Sequence, residues 1–159
     1  MKFTRDFDLE ECVIERRIIR RDLAVIASML ERSSMEYSEK DFIRMLNCPH
    51  HEKMMLRYRN RSIGFLIAQV DTPLRFVLRY LVIDPSTRRH GAGRMLMNEL
   101  IQIARDEDRR VITLETPTKN MGAVAFASSM DFKKLGPFPS NFDNRTDQVF
   151  LMKRIVQEA

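Results

Sequence analysis

Apolar positions along this chain switch between a spacing of three to four and a spacing of two, the marks of helix and strand faces. Cys12-Val13-Ile14-Glu15-Arg16-Arg17 reads as a first strand. Asp22 stands as an N-cap before Leu23, Ile26, Ala27 and Leu30, which share one helical face. Ser38-Glu39-Lys40-Asp41 has the form of a capping box with Asp for Glu, and opens a short helix carrying Phe42, Met45 and Leu46. Met54, Leu56 and Tyr58 alternate with Met55, Arg57 and Arg59, which predicts a half-exposed strand. The polar turn Arg59-Asn60-Arg61 joins it to a strand from Ile63 to Val70, as a hairpin. Asp71-Thr72-Pro73 is a second turn, and another strand follows from Phe76 to Ile83.

Leu96, Met97, Leu100, Ile101 and Ala104 mark the buried stripe of a helix reaching Asp108, and Val111 to Glu115 is strand-like. Strand, helix and strand in that order predict a parallel pair joined by a crossover. Ala123, Val124, Phe126, Ala127 and Met130 suit a further helix. Phe132 to Leu135 and Gln148 to Lys153 close the chain as strands around a polar loop, Pro139 to Asp147. The order β-α-α-β-β-β-α-β-α-β-β places the chain in the α/β class, with a mixed central sheet of about seven strands and about four flanking helices.

Composition narrows the function more than the fold. The 159 residues suit one domain over the whole chain, and 44% hydrophobic with 31% charged content reads as globular. No apolar run reaches the length of a membrane span, and Met1-Lys2-Phe3-Thr4-Arg5-Asp6 opens no signal peptide, so no membrane partner and a cytoplasmic location are expected. Cys12 and Cys48 form no disulfide framework, and Cys48-Pro49-His50-His51 lacks a second ligand pair, so no metal is expected. A net charge of +5 favours an acidic partner such as a phosphorylated cofactor. The basic residues are interleaved with acids and form no aromatic-plus-basic stripe, which argues against nucleic acid. Oligomeric state is left open.

The chemistry concentrates after the strand ending at Ile83. Asp84-Pro85-Ser86-Thr87 leads into Arg88-Arg89-His90-Gly91-Ala92-Gly93, which opens a helix. The first N–H groups of a helix lack intrahelical partners and sit at the positive end of its dipole. Glycines there let a backbone approach phosphate, and arginines surround it with donors. The pattern is neither a P-loop nor a dinucleotide fingerprint, since it has no Gly-Lys-Ser/Thr and no third glycine. It resembles Arg/Gln-x-x-Gly-x-Gly/Ala, the pyrophosphate loop of the GNAT superfamily of acyl-CoA-dependent N-acyltransferases.

Other segments extend this resemblance over most of the chain, towards the bacterial ribosomal-protein alanine N-acetyltransferases. Tyr37-Ser38-Glu39-Lys40-Asp41-Phe42 is similar to their aromatic-Ser-Glu-x-x-Phe segment, and Ile63-Gly64-Phe65 to their Gly-Phe strand. Glu115-Thr116-Pro117-Thr118-Lys119-Asn120, with Ala123 and Ala125 following, has the spacing of their Glu-Val-Arg-x-x-Asn segment. The resemblance implies a single GNAT-type domain, acetyl-CoA as cosubstrate and an amine acceptor. It implies that backbone groups of Leu81, Val82 and Ile83 pair with the pantetheine amides like an added strand, the N–H around Val82 polarising the thioester carbonyl. Arg88, Arg89, His90, Gly91, Ala92, Gly93 and Arg94 are implied to hold the pyrophosphate. Asn120 is implied to meet the pantetheine arm, and Glu115 to activate the amine. The arm is expected to enter where the strand ending at Ile83 diverges from the strand carrying Glu115.

Plainer readings stand beside these. Glu115 is also a strand-end charge suited to solvent or an ion pair, and Asn120 also suits an N-cap. One position departs from the family. Its general-acid tyrosine falls seven residues after the Asn, where this chain has Ala127. A CoA thiolate leaves tolerably without an acid, since thiol pKa values lie near about 8.5. General acid help is worth about 10²–10⁴-fold, so its loss implies a slow enzyme rather than a dead one. Tyr80, Ser128 and Ser129 are the candidate replacements. Pro139-Ser140-Asn141-Phe142-Asp143-Asn144 replaces the aromatic-rich loop by which the family shapes its peptide groove. The favoured expectation is acetyl transfer to a protein N-terminal α-amine. A small-molecule amine acetyltransferase and a non-catalytic acyl-CoA-binding regulatory module remain as alternatives.

Overall fold

The computed structural model describes residues 7–33, 35, 37–139 and 146–157. Among the described residues the order is β1 (Cys12–Glu15), α1 (Leu23–Arg32), α2 (Glu39–Asn47), β2 (His51–Tyr58), β3 (Arg61–Thr72) and β4 (Arg75–Ile83). Then come α3 (Ala92–Asp106), β5 (Val111–Pro117), α4 (Met121–Ser129), β6 (Lys133–Pro139) and β7 (Asp147–Arg154). Single 3-10 turns lie at Leu9–Glu11, Arg20–Asp22 and Pro85–Thr87. The strands hydrogen-bond in the order β1-β2-β3-β4-β5-β7-β6. The β4–β5 pair is parallel, and β1–β2, β2–β3, β5–β7 and β6–β7 are antiparallel. This is the mixed seven-strand α/β arrangement with four helices that the periodicity predicts. No described helix is long and apolar enough to cross a membrane.

The chain packs as two compact units. The first comprises residues up to Val70 together with Arg79–Leu100, and the second comprises Asp71–Leu78 with residues from Ile101 onward. In the first unit Ile26, Met29 and Leu30 of α1 and Phe42 of α2 meet Met55, Phe65, Ile67 and Val82 in one buried cluster. Ser38 caps α2 as expected, its side chain accepting from the Asp41 N–H at 3.4 Å. Arg59 and Asn60 both take left-handed φ values, 48° and 63°, so the β2–β3 hairpin closes with the two-residue turn that best matches strand twist.

Two expectations in this unit change. Met54, Met55 and Leu56 are all fully buried, so β2 is covered on both faces rather than half-exposed. It is an inner strand between β1 and β3, and Arg57 on it is itself enclosed by partners. The guanidinium lies 3.1 Å from Asp22 and 3.0 Å from Glu15, and donates to Ser62 at 2.6 Å. Asp22 does not cap α1 with its side chain, because its own backbone is already helical. Its carboxylate turns back to accept from the Ile19 N–H at 3.0 Å, which leaves it beside Arg57.

In the second unit β5 is bordered by the first residues of β4 and by the full length of β7. Ile112, Leu114, Phe132, Val149 and Leu151 form its buried apolar face. β6 runs on to Pro139, beyond the expected end at Leu135, and every residue of it is exposed. Of the expected polar loop, positions 140–145 lie outside the described residues, and Asp147 already begins β7.

Candidate active site

β4 alternates as a strand must, and Tyr80 and Val82 pack on the core of the first unit. Leu81 and Ile83 are half-buried on the opposite face. Gly64 on β3 lets this segment approach closely. A Cβ there would lie 3.0 Å from the Val82 carbonyl oxygen and 2.7 Å from the Ile83 Cδ1. The Asp84 N–H donates to the Ile63 carbonyl at 2.7 Å, closing the strand end onto β3. The parallel ladder of β4 with β5 ends at Val77 and Thr113.

The turn after β4 is held by a buried carboxylate. The Asp84 side chain is 2% exposed and meets Arg32 of α1 at 2.7 Å and 3.2 Å. It also accepts from the Ser86 N–H at 3.0 Å and the Ser86 hydroxyl at 2.7 Å. Burial pushes its pKa up, yet the Ser86 hydroxyl and amide and the Arg32 guanidinium together hold it below the ordinary carboxylate value. Arg88 folds back, donating to the Ile83 carbonyl at 3.1 Å and the Ser33 hydroxyl at 2.8 Å.

Past this anchor the backbone twists into the left-handed region twice, at Arg89 (φ 68°) and Gly91 (φ 88°). A non-glycine residue there costs about 1–2 kcal/mol, so surrounding contacts must impose the shape. The first backbone bond of α3 runs from the Met95 N–H to the Gly91 carbonyl at 3.0 Å. The N–H groups of Ala92, Gly93 and Arg94 precede it, at the positive end of the helix dipole. Arg88, Arg89, His90, Gly91 and Arg94 are exposed around them, while Ala92 is buried. A helix N-terminus, a tight left-handed loop and several cations make a donor set that fits a pyrophosphate. All seven loop residues named from the sequence, and the strand end Leu81–Ile83, fall within the first unit.

The remaining expected residues fall in the second unit. Glu115 is exposed on β5, opposite Phe150 of β7. Asn120 caps α4, its side-chain oxygen accepting from the Ala123 N–H at 3.3 Å while its amide donates to Thr116 Oγ1 at 3.2 Å. Ala127 is fully buried, and its carbonyl accepts from the Phe132 N–H at 3.1 Å. Ser128 and Ser129 are exposed, the hydroxyl of Ser129 donating to the Phe126 carbonyl at 2.6 Å. In the first unit Tyr80 is half-buried, and burial raises its phenol pKa, which makes it a weaker acid. No cluster of metal-ligating side chains occurs among the described residues. Gly64, Arg32 and the anchoring role of Asp84 were not legible as site features. A glycine inside a strand does signal a close backbone approach, but nothing local marks Arg32 as a partner 52 residues from Asp84.

Known proteins share this fold. The chain is 30% identical over 98 residues to the N-alpha-acetyltransferase RimI of Mycobacterium tuberculosis, covering 60% of each. The ribosomal-protein-S18-alanine N-acetyltransferase of Escherichia coli superposes with a TM-score of 0.79 at 22% identity, over 93% of this chain and 96% of that one. A GNAT acetyltransferase of Elizabethkingia anophelis, solved with acetyl-CoA bound, superposes with a TM-score of 0.71 at 16% identity, over 91% and 99% of the two chains. The matched segments span between 23% and 60% of the curated relatives' own lengths. The model of the Acetyltransferase (GNAT) family matches residues 23–132, well over half of the sequence. The chain therefore belongs to the GNAT family of acetyltransferases.

Proposed function

We propose that residues 1–159 act as one acetyltransferase domain that moves the acetyl group of acetyl-CoA directly onto the α-amine of a protein N-terminus. The observation that carries the donor half is the left-handed loop at Arg89 and Gly91 leading into the N-terminus of α3. The acceptor half is supported by the similarity to an N-alpha-acetyltransferase. Bound acetyl-CoA supplies the activated thioester. The chain's own residues do the rest. Amides of Ala92, Gly93 and Arg94, with the arginines beside them, hold the pyrophosphate. Backbone groups of Leu81, Val82 and Ile83, past the end of the parallel ladder, pair with the pantetheine arm as an added strand, and the N–H at Val82 polarises the thioester carbonyl. Asn120 keeps one amide hydrogen for the arm while it caps α4. Glu115 removes the amine's proton, through water, and frees the nitrogen lone pair to form the new C–N bond as the thioester C–S bond breaks, the CoA thiolate leaving and taking its proton from solvent.

An acetyl-CoA consumption assay tests this against pooled N-terminal peptides, lysine peptides and polyamines, beside calorimetric titration of acetyl-CoA. Turnover with the N-terminal pool alone is expected. Glu115→Gln should lower kcat by about 10²-fold, most at low pH where little amine is already neutral. Turnover confined to polyamines would replace the proposed acceptor with a small-molecule amine. Tight acetyl-CoA binding without turnover in any pool would favour the regulatory module that the buried alanine at position 127 leaves open.

A further inference from the structure

We propose that the segment Phe7–Glu11, ahead of β1, is a positioning brace that holds the cofactor loop in its left-handed shape. The proposal rests on the reading of residues 88–94 as the pyrophosphate site. Three contacts carry it. The Phe7 ring packs against the His90 ring with centroids 5.0 Å apart, and against the Tyr58 ring at 4.7 Å. The Leu9 Cδ2 stands 3.2 Å from where a Cβ on Gly91 would be, so leucine and glycine fill one space between them. The segment is pinned at its end, where Glu11 takes the Arg59 guanidinium at 2.6 Å and the next residue, Cys12, pairs with Tyr58.

The physical need for such a brace is local. Arg89 at φ 68° relaxes out of the left-handed region unless its neighbours forbid it. Arg88 fixes the loop at its start through Ile83 and Ser33, and α3 fixes its end. His90 and Gly91 lie between, exposed to solvent, and their packing against Phe7 and Leu9 is what restrains them. His90 is thereby assigned to hold the loop with its ring, leaving the backbone to face phosphate. Phe7 and Leu9 are positioning residues, since they act on the cofactor through His90 and Gly91.

The test uses Phe7→Ala and Leu9→Ala in the full chain, with Phe7→Tyr as the conservative variant. Backbone ¹⁵N order parameters at residues 89–94 report the loop without any ligand. The dissociation constants of acetyl-CoA and of S-acetylpantetheine, which lacks the pyrophosphate, report its use. In Phe7→Ala the loop order parameters should fall while those of β2 and β3 do not. The acetyl-CoA Kd and KM should rise by about three- to tenfold, the span expected for one aromatic contact, with kcat at saturation and the S-acetylpantetheine Kd unchanged. Phe7→Tyr should restore both readouts. Unchanged loop order parameters in both alanine variants would overturn the brace. Lower loop order with an unchanged acetyl-CoA Kd, or equal losses for both ligands, would overturn its action on the pyrophosphate. Wild-type protein with an ordered loop that binds no acetyl-CoA would instead overturn the pyrophosphate reading, and the positioning role with it.

Discussion

At position 127 the environment reverses what the aligned residue type suggests. Set beside the family's tyrosine, Ala127 looks like a lost acid that a single substitution would restore. Its side chain is fully buried, and a phenol there must displace packed neighbours rather than enter open space. Overpacking of this kind costs about 1–3 kcal/mol. Ala127→Tyr is therefore expected to lower the melting temperature and to leave turnover no faster than wild type, read by thermal denaturation and steady-state rates. A stable variant with about tenfold faster turnover would show that the hydroxyl does reach the leaving thiolate. Asn120 teaches a milder version of this lesson. Its spacing suggests a cofactor contact, while the bonds it makes are those of a helix cap with one amide hydrogen to spare.

At the scale of elements, the site depends on how closely β3 lies to the end of β4. Gly64 sits among fully buried Ile63, Phe65 and Leu66, so nothing but its missing side chain distinguishes it along the strand. A methyl group added there meets the flexible end of Ile83, which can move, and the Val82 carbonyl, which is backbone and must shift the strand with it. Gly64→Ala is expected to destabilise the fold by about 1–3 kcal/mol, since the core cannot absorb a methyl without strain. It should also weaken acetyl-CoA binding, because the displaced backbone is the one proposed to pair with the pantetheine arm. Urea unfolding and calorimetric titration measure the two effects separately. Wild-type values for both would mean that the close approach is incidental. The alternation of β2 shows the complementary limit: a pattern of Met, Arg and Tyr looks half-exposed until Arg57 is found enclosed by Asp22, Glu15 and Ser62.

Across the whole molecule, the stability of the fold should respond to acid through Asp84. Its folded pKa lies below the ordinary carboxylate value, so folding favours the charged form. That contribution is complete above the unfolded value of about 3.9 and is lost as pH falls through the lower folded value. Stability is thus expected to decline below about pH 4 in the wild type and less steeply in Asp84→Asn, whose stability at neutral pH should start lower. Chemical denaturation at a series of pH values checks both. Equal slopes for the two proteins would show that other carboxylates govern acid unfolding.

How much of this molecule its sequence determined by itself follows from the range over which each property is decided. The type of each element and the glycine loop before α3 are local: spacing, caps and turn residues specify them within a dozen positions. The hairpin turn at Arg59 and Asn60 and the Ser38 cap are local too, and both lie where the residue types put them. What only the tertiary structure decided joins distant positions. Arg32 meets Asp84 and Phe7 meets His90 because packing brings separate elements together, and no period along the chain encodes such a meeting. The burial of Ala127 and the space that Gly64 leaves empty are likewise properties of neighbours rather than of the residues themselves. Propensity and periodicity sum over adjacent residues, whereas burial, ion pairing and close approach depend on which surfaces the folded chain presses together.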